Sequence, residues 1–142
     1  MRVFDPALLD PGAVFAGFFA DLAASALAGV VFGIAVAADA ASDAAETGSP
    51  PESRFLETLG KPTVGLQILA LSLLSSMIGG AVAGWMAPEG AAPANAFAVG
   101  LLSTVVSALT LFFDPPTRPW VVWADILLSL PGALFGGWLA TF

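Results

Sequence analysis

The stretch that decides the fold is residues 64–86, VGLQILALSLLSSMIGGAVAGWM, which contains no charged residue. An α-helix needs roughly 20 apolar residues to cross a hydrocarbon core of about 30 Å, and this stretch meets that length. Three further apolar stretches lie along the chain, at residues 13–38, 93–113 and 119–141. In lipid, every backbone amide must find its hydrogen-bond partner inside its own segment, so the four stretches predict transmembrane helices.

The overall composition points the same way. Of the 142 residues, 58% are hydrophobic and 11% are charged, whereas soluble domains have roughly 45–50% and 25%. Polar groups this scarce cannot cover the surface of a soluble protein of this size. We predict an all-α membrane protein with a single membrane domain over residues 1–142, in which four transmembrane helices form a compact bundle and residues 39–63 form a polar loop.

Charge and residue types exclude several functions. Four basic residues stand against eleven acidic ones, and the net charge of −7 leaves no basic patch for nucleic acid. Cysteine, histidine and tyrosine are absent, which removes disulfides, thiol nucleophiles, the usual haem ligands and the commonest zinc ligand. We therefore expect no enzyme, no cofactor and no metal site.

The first apolar stretch has features of both an anchor and a signal peptide. Ala35-Val36-Ala37 resembles a cleavage site, but the apolar run is 26 residues long and its leader is acidic at Asp5 and Asp10, so we expect a retained anchor. Asp10 followed by proline predicts an N-cap for this helix. Residues 6–9 are interpreted as a short interfacial turn, with a frayed tail as the alternative.

Within the polar loop, residues 52–59 place Phe55, Leu56 and Leu59 on one face. This spacing predicts a short amphipathic helix at the membrane surface. The other two loops, residues 87–92 and 114–118, are short and rich in proline or glycine.

Two apolar segments are similar when they are aligned without gaps. Residues 76–87 (SMIGGAVAGWMA) and 129–140 (SLPGALFGGWLA) share the serine, one glycine, the Gly-Trp pair and the final alanine. The similarity predicts a duplicated helical hairpin with the long loop inserted in the first copy. Chance similarity between two glycine- and alanine-rich segments is the competing explanation.

An even number of crossings places both termini on one side of the membrane. That side carries Arg2, whereas the other carries Arg54, Lys61 and Arg118. Basic residues concentrate on the cytoplasmic side, so the charges predict non-cytoplasmic termini in a bacterial cytoplasmic membrane. The tryptophans form a predicted interfacial belt, with Trp85 and Trp138 at one end of the bundle and Trp120 and Trp123 at the other.

Small residues recur at every fourth position in the predicted helices, which places them on one face. In lipid, close backbone contact at such faces drives helix association. The predicted glycine-zipper packing residues are Gly17, Ser25, Gly29, Gly33, Ser76, Gly80, Gly84, Gly100, Gly132 and Gly136. The partner helix of each face lies either within the chain or on another protein.

This spacing resembles that of a loose group of uncharacterised small bacterial membrane proteins with four helices and no known activity. The resemblance covers the chain apart from the first loop and lies in three motifs: Gly17-x3-Asp21-x3-Ser25-x3-Gly29, Gly79-Gly80-x3-Gly84 and Leu130-Pro131-Gly132-x3-Gly136-Gly137. It implies no function.

The predicted spans contain three notable polar residues, namely Asp21, Asp125 and Gln67. A charge near the bilayer centre costs about 2.5–3.5 kcal/mol even on a lenient scale, so each aspartate is a functional candidate. Measured from the midpoints of their predicted spans, the aspartates lie on opposite sides of the bilayer centre, about 14 Å apart along the membrane normal. At that separation they cannot share a proton.

Each aspartate therefore has its own interpretation. Asp21 lies on the small-residue face and has three possible roles. It is a protonated or hydroxyl-bonded packing group, a proton or cation relay, or the partner of a base on another subunit. Asp125 lies near the interface, on the same side as Gln67 and Arg118, and is interpreted as a snorkelling or hydrogen-bonded acid.

Two functions follow from these patterns. The favoured one is a non-catalytic accessory subunit that stabilises a larger membrane complex, with lipid and other integral membrane subunits as partners. The alternative is a small homo-oligomeric transporter or channel, coupled to protons or cations through Asp21. Four filled helices in a chain of 142 residues leave little room for a cavity, which counts against the alternative.

Overall fold

The computed structural model describes residues 6–113 and 119–142, which are helical along almost their whole length. A 3-10 turn at Pro6–Leu8 precedes five α-helices: α1 (Pro11–Thr47), α2 (Pro51–Gly60), α3 (Pro62–Met86), α4 (Ala92–Phe113) and α5 (Pro119–Leu139). No strand occurs in these two ranges. The predicted third loop, residues 114–118, lies outside the described residues.

Four of the helices, α1, α3, α4 and α5, are long and apolar enough to cross a membrane, as predicted. They pack together as a bundle, so the chain is a multi-pass integral membrane protein. Large apolar side chains cover the outside of the bundle, such as Phe19, which is 63% exposed, and Leu127, which is 72% exposed. An apolar surface of this extent is compatible with contact with lipid.

The helix α3 lies at the centre of the bundle and packs against α1, α4 and α5. Within their described residues, α1 and α5 have no packing contact with each other. The helices α1 and α4 run in one direction, and α3 and α5 run in the other. We call the side of the bundle that holds Pro11 the terminal side, and the side that holds Thr47 the loop side.

The parallel pair α3 and α5 depends on glycine. A Cβ atom added at Gly80 would strike the backbone of Ala133, and one added at Gly136 would strike the backbone of Met77. These helices therefore touch backbone to backbone, as helices in lipid do when small residues line their interface. Gly80 and Ala133 are equivalent positions of the two similar segments, and they face each other here. The duplicated hairpin itself stays a prediction.

The first helix is much longer than predicted. It continues to Thr47, so the predictions that it ends at residue 38 and that a polar loop fills residues 39–63 are wrong. Residues 37–46 consist of alanine, aspartate, serine and glutamate, and alanine in particular favours helix strongly. The helix ends at Gly48, whose φ of 67° lies in the left-handed region that glycine adopts readily. Its 37 residues span about 55 Å, well beyond a core of about 30 Å, so the end of α1 projects from the membrane.

The short helix predicted within residues 39–63 is present as α2. It folds back on the projecting part of α1. Phe55 and Leu56 of α2 line an apolar groove together with Ala37 and Ala40 of α1, and Thr58 is buried. The apolar face of α2 therefore lies only partly against α1, since Leu56 is 68% exposed, and its predicted position at the membrane interface stays a prediction.

The residues that precede α1 are hydrogen-bonded to α4. Asp10 caps α1 as predicted, since its side chain accepts hydrogen bonds from two backbone amides of the first turn. The side chain of Asn95 is fully buried; its Oδ1 accepts from the Asp10 amide at 2.8 Å, and its Nδ2 donates to the carbonyls of Leu8 at 3.1 Å and Ala91 at 2.9 Å. These bonds fix the height of α1 relative to α4.

Candidate functional site: a cavity lined by carboxyl and hydroxyl groups

A cavity of about 380 Å³ lies between α1, α3, α4 and α5, toward the loop side. Two aspartates line it, together with seven serines: Ser25, Ser72, Ser75, Ser76, Ser103, Ser107 and Ser129. Apolar side chains such as Phe32 and Ile68 complete its wall. The expectation that four filled helices leave little room for a cavity is therefore wrong.

Along α1, close contact with α3 near the terminal side gives way to open surroundings at the glycines farther along. Near the terminal side, α1 lies against α3 at Gly17, where an added Cβ atom would be 2.6 Å from the carbonyl oxygen of Gly79. Farther along, a Cβ atom added at Gly29 or Gly33 would meet nothing within 4 Å. The predicted packing at Gly29 and Gly33 is thus not found within the described chain, and Ser25 and Gly29 line the cavity instead.

Three helices meet at the carboxyl group of Asp125 on α5. Ser107 of α4 donates a hydrogen bond to its Oδ2 at 2.8 Å, and Ser72 of α3 donates to its Oδ1. Both carboxyl oxygens are therefore engaged inside the bundle. Of the two predicted forms of this acid, the hydrogen-bonded one is observed, and the snorkelling one is not.

Asp21 of α1 is only 5% exposed, and its Oδ2 accepts a hydrogen bond from Ser103 of α4. Its main chain lies close to α3, where an added Cβ atom at Gly79 would be 2.7 Å from the Cβ of Asp21. A side chain at position 79 would therefore push α1 outward and withdraw this carboxyl group from the cavity. Gly79 thus positions Asp21.

The two carboxyl groups lie closer together than predicted. They accept from Ser103 and Ser107, which are one helical turn apart on α4, a rise of about 6 Å. The predicted separation of about 14 Å along the membrane normal is therefore wrong. That value takes the middle of residues 13–38 as the bilayer centre. Because α1 projects from the membrane on the loop side, the middle of this range lies too far toward that side.

No basic side chain of the described residues lines the cavity. Arg54 forms an ion pair with Glu57 at 2.8 Å on α2, and Lys61 immediately precedes α3, so both lie elsewhere. An isolated charge at membrane depth is costly, and burial of a charge without a partner costs more still. Within the described residues, the two carboxyl groups thus have hydroxyl partners and no basic one.

The remaining predicted site residues lie outside the cavity, apart from Ser76. Besides Gly17, six of the predicted packing residues are buried between helices: Ser76, Gly80, Gly84, Gly100, Gly132 and Gly136. Gln67 is exposed on α3 and does not line the cavity. All four tryptophans are exposed, with Trp85 and Trp138 at the terminal side and Trp120 and Trp123 at the loop side.

The hydroxyl partners Ser72, Ser103 and Ser107 are site residues that the sequence analysis misses. One signal exists, since Ser103 and Ser107 are four residues apart and so share a face of an otherwise apolar helix. Asn95 is missed as well. Nothing in the sequence pairs a given serine with a given aspartate, because that pairing depends on the relative heights of the helices.

Carboxylate and hydroxyl oxygens in a membrane cavity can hold a proton or a hard cation. The described residues contain no group of three or more His, Cys, Asp or Glu side chains placed to hold a metal ion. Comparisons with protein-family models, with curated proteins and with solved structures find no match to this chain.

Proposed function

We propose that the protein binds a proton or a cation between Asp21 and Asp125 and passes it across the membrane. One observation carries the proposal: two carboxyl groups accept hydrogen bonds from serines one helical turn apart, in a hydroxyl-lined cavity that no basic side chain of the described residues shares. In membrane proteins, carboxyl groups at this depth mark proton and ion pathways. The cavity removes one objection to the transporter, namely that four filled helices leave little room for a cavity.

The shape of the bundle supports a site that opens to one side at a time. Toward the loop side, the cavity wall includes Ser25, Gly29 and Ile68, which are exposed at the surface of the bundle. Toward the terminal side, backbone contact between Gly17 and Gly79 closes the bundle. Passage to the terminal side therefore requires α1 to move against α3, as in transporters that alternate between two open forms.

A purely structural role for the carboxyl groups is the competing interpretation. In that case, Asp21 and Asp125 would only accept the hydrogen bonds that hold α1, α3, α4 and α5 together. Amide or hydroxyl side chains could make the same bonds without placing two acids in the membrane. A dry interface would also serve that purpose, and it would need no cavity.

The test is proton or cation flux into proteoliposomes that contain the purified chain. Asp21→Asn keeps the size of the side chain and can still accept from Ser103, but it cannot gain or lose a proton. We expect flux in the wild type and its loss in Asp21→Asn, while Asp39→Asn, which changes an exposed acid on the projecting part of α1, retains it. Equal flux in wild type and Asp21→Asn, or no flux in the wild type, would reject the proposal.

We propose a non-catalytic accessory subunit of a membrane complex as the second candidate. The observation that favours it is the face of α1 around Gly29 and Gly33, where an added Cβ atom would meet nothing of the described residues within 4 Å. A helix of another subunit could approach closely there. If this candidate is correct, Gly29→Leu will abolish co-purification of a partner subunit and leave the isolated bundle stable. Recovery of the same partner with Gly29→Leu would contradict it.

A further inference from the structure

The polar atoms that line the cavity define a ligand class. We infer that the ion held between Asp21 and Asp125 is a hard monovalent cation of the Na⁺ class, bound through carboxylate and hydroxyl oxygens. This inference rests on the proposed function and names the ion that the site takes.

The polar lining of the cavity consists of aspartate and serine side chains, so its side-chain ligand atoms are all oxygen. Hard cations prefer such ligands. A proton relay needs a carboxyl group and a route for water, and it gives no role to a cavity hydroxyl that bonds neither a carboxyl group nor the backbone, such as that of Ser76. A cation surrounded by neutral hydroxyls and charged carboxylates uses both kinds of group.

Ser76 of α3 gives an independent indication of a ligand. Its side chain is 2% exposed and lines the cavity, yet its hydroxyl has no hydrogen-bond partner among residues 6–113 and 119–142. The neighbouring serines differ, because Ser75 donates to the carbonyl of Leu71 at 3.0 Å and Ser129 donates to that of Asp125 at 2.8 Å. Arg54 Nε is the one unpaired side-chain atom of the described residues that is fully enclosed, so the Ser76 hydroxyl is open to the cavity. A bound ion or its water is the partner expected for it there.

The charge of the site favours a monovalent ion. The cost of removing an ion from water grows with the square of its charge, so a divalent ion loses about four times as much hydration energy as a monovalent one. Calcium sites offset that loss with several carboxylates, and the described residues contain no group of three or more acidic or metal-binding side chains. If Asp21 and Asp125 together hold one proton and one monovalent cation, the total charge of the site is zero.

The size of the cavity allows the ion to keep part of its water. At about 30 Å³ for each water molecule, a volume of about 380 Å³ holds on the order of a dozen. An ion can therefore enter partly hydrated and exchange some water for hydroxyl oxygens. A site that strips only part of the hydration shell also releases its ion readily, as transport requires.

The inference is tested by thermal unfolding of the full chain in detergent, in NaCl or in choline chloride at equal ionic strength. A ligand that binds only the folded state stabilises it, so we expect NaCl to raise the unfolding midpoint in a saturable way and choline chloride to leave it unchanged. Ser76→Ala removes one ligand oxygen, and we expect it to raise the half-saturating Na⁺ concentration about tenfold. Gln67→Ala, on the same helix outside the cavity, is the matched control and should leave that concentration unchanged.

Asp125→Asn is the second variant, which keeps the test decisive if Ser76→Ala does not fold. Equal midpoints in NaCl and choline chloride, or the same Na⁺ dependence in wild type and Asp125→Asn, would overturn the inference. Saturation by MgCl₂ at a lower concentration than NaCl would overturn the monovalent assignment.

Failure of the proposed function gives a different result. Proton flux that depends on Asp21 in Na⁺-free vesicles, with no effect of Na⁺ on the unfolding midpoint, would reject the Na⁺ site and retain transport. Na⁺ binding that Ser76→Ala weakens, with no flux of any ion, would retain the site and reject transport.

Discussion

Gly17 and Gly29 both belong to the four-residue spacing of small residues on α1, yet only at Gly17 would an added Cβ atom meet another helix, and this difference allows the packing of α1 to be measured. In Gly17→Ala, the new Cβ atom would lie 2.6 Å from the carbonyl oxygen of Gly79 and 2.7 Å from the Cβ of Ala83. Ordinary contact begins at 3.4 Å. The helices α1 and α3 must therefore separate locally by about 0.8 Å, the difference between 3.4 and 2.6 Å. In Gly29→Ala, the new atom meets nothing within 4 Å.

The two variants share one effect and differ in another. Replacing glycine by alanine favours helix by about 1 kcal/mol at either position. Only Gly17→Ala adds an overpacking cost, which is typically about 1–3 kcal/mol. The helix term cancels in the comparison, so we expect Gly17→Ala to be less stable than Gly29→Ala by about 1–3 kcal/mol.

Reversible unfolding of both variants in mixed detergent micelles, followed by tryptophan fluorescence, measures this difference. The free energies of unfolding are compared with that of the wild type under identical conditions. Equal stability of Gly17→Ala and Gly29→Ala would refute the contact between α1 and α3, and with it the reason why α1 closes the bundle on the terminal side. The expectation from sequence that Gly29 packs like the buried glycines would then regain support.

Two further predictions follow from the fold. Asn95→Ala leaves the Asp10 amide and the Leu8 carbonyl without their partner, so we expect a loss of about 1–3 kcal/mol and faster hydrogen exchange at the Asp10 amide; unchanged exchange there would contradict the tie between α1 and α4. If the loop side is cytoplasmic, Ser49→Cys in intact cells should resist a membrane-impermeant thiol reagent and Glu89→Cys should react. The opposite labelling would invert the predicted orientation and leave the bundle unchanged.

The membrane-spanning helices, the cap at Asp10 and the presence of α2 are predictable because they depend on short runs of sequence. Hydropathy over about 20 residues decides whether a segment crosses lipid, and an aspartate before a proline caps a helix wherever the helix lies. The continuation of α1 to Thr47 also depends on a short run of sequence and could have been predicted from it. Residues 39–47 are polar yet strongly helix-forming, and polarity alone does not distinguish a loop from a helix that projects into water.

The cavity and its pair of carboxyl groups were decided by the tertiary structure. Asp21 lies one turn from Asp125 because contacts between distant residues set the height of each helix, such as Asn95 with Asp10 and Gly17 with Gly79. The same contacts leave Gly29 without a neighbour, although it repeats the spacing of Gly17. Small-residue spacing marks a face on which close approach is allowed. Because each step of four residues turns the helix about 40° beyond a full turn, Gly29 lies about 120° around α1 from Gly17. Whether another helix lies there is a property of the whole bundle and not of any one segment.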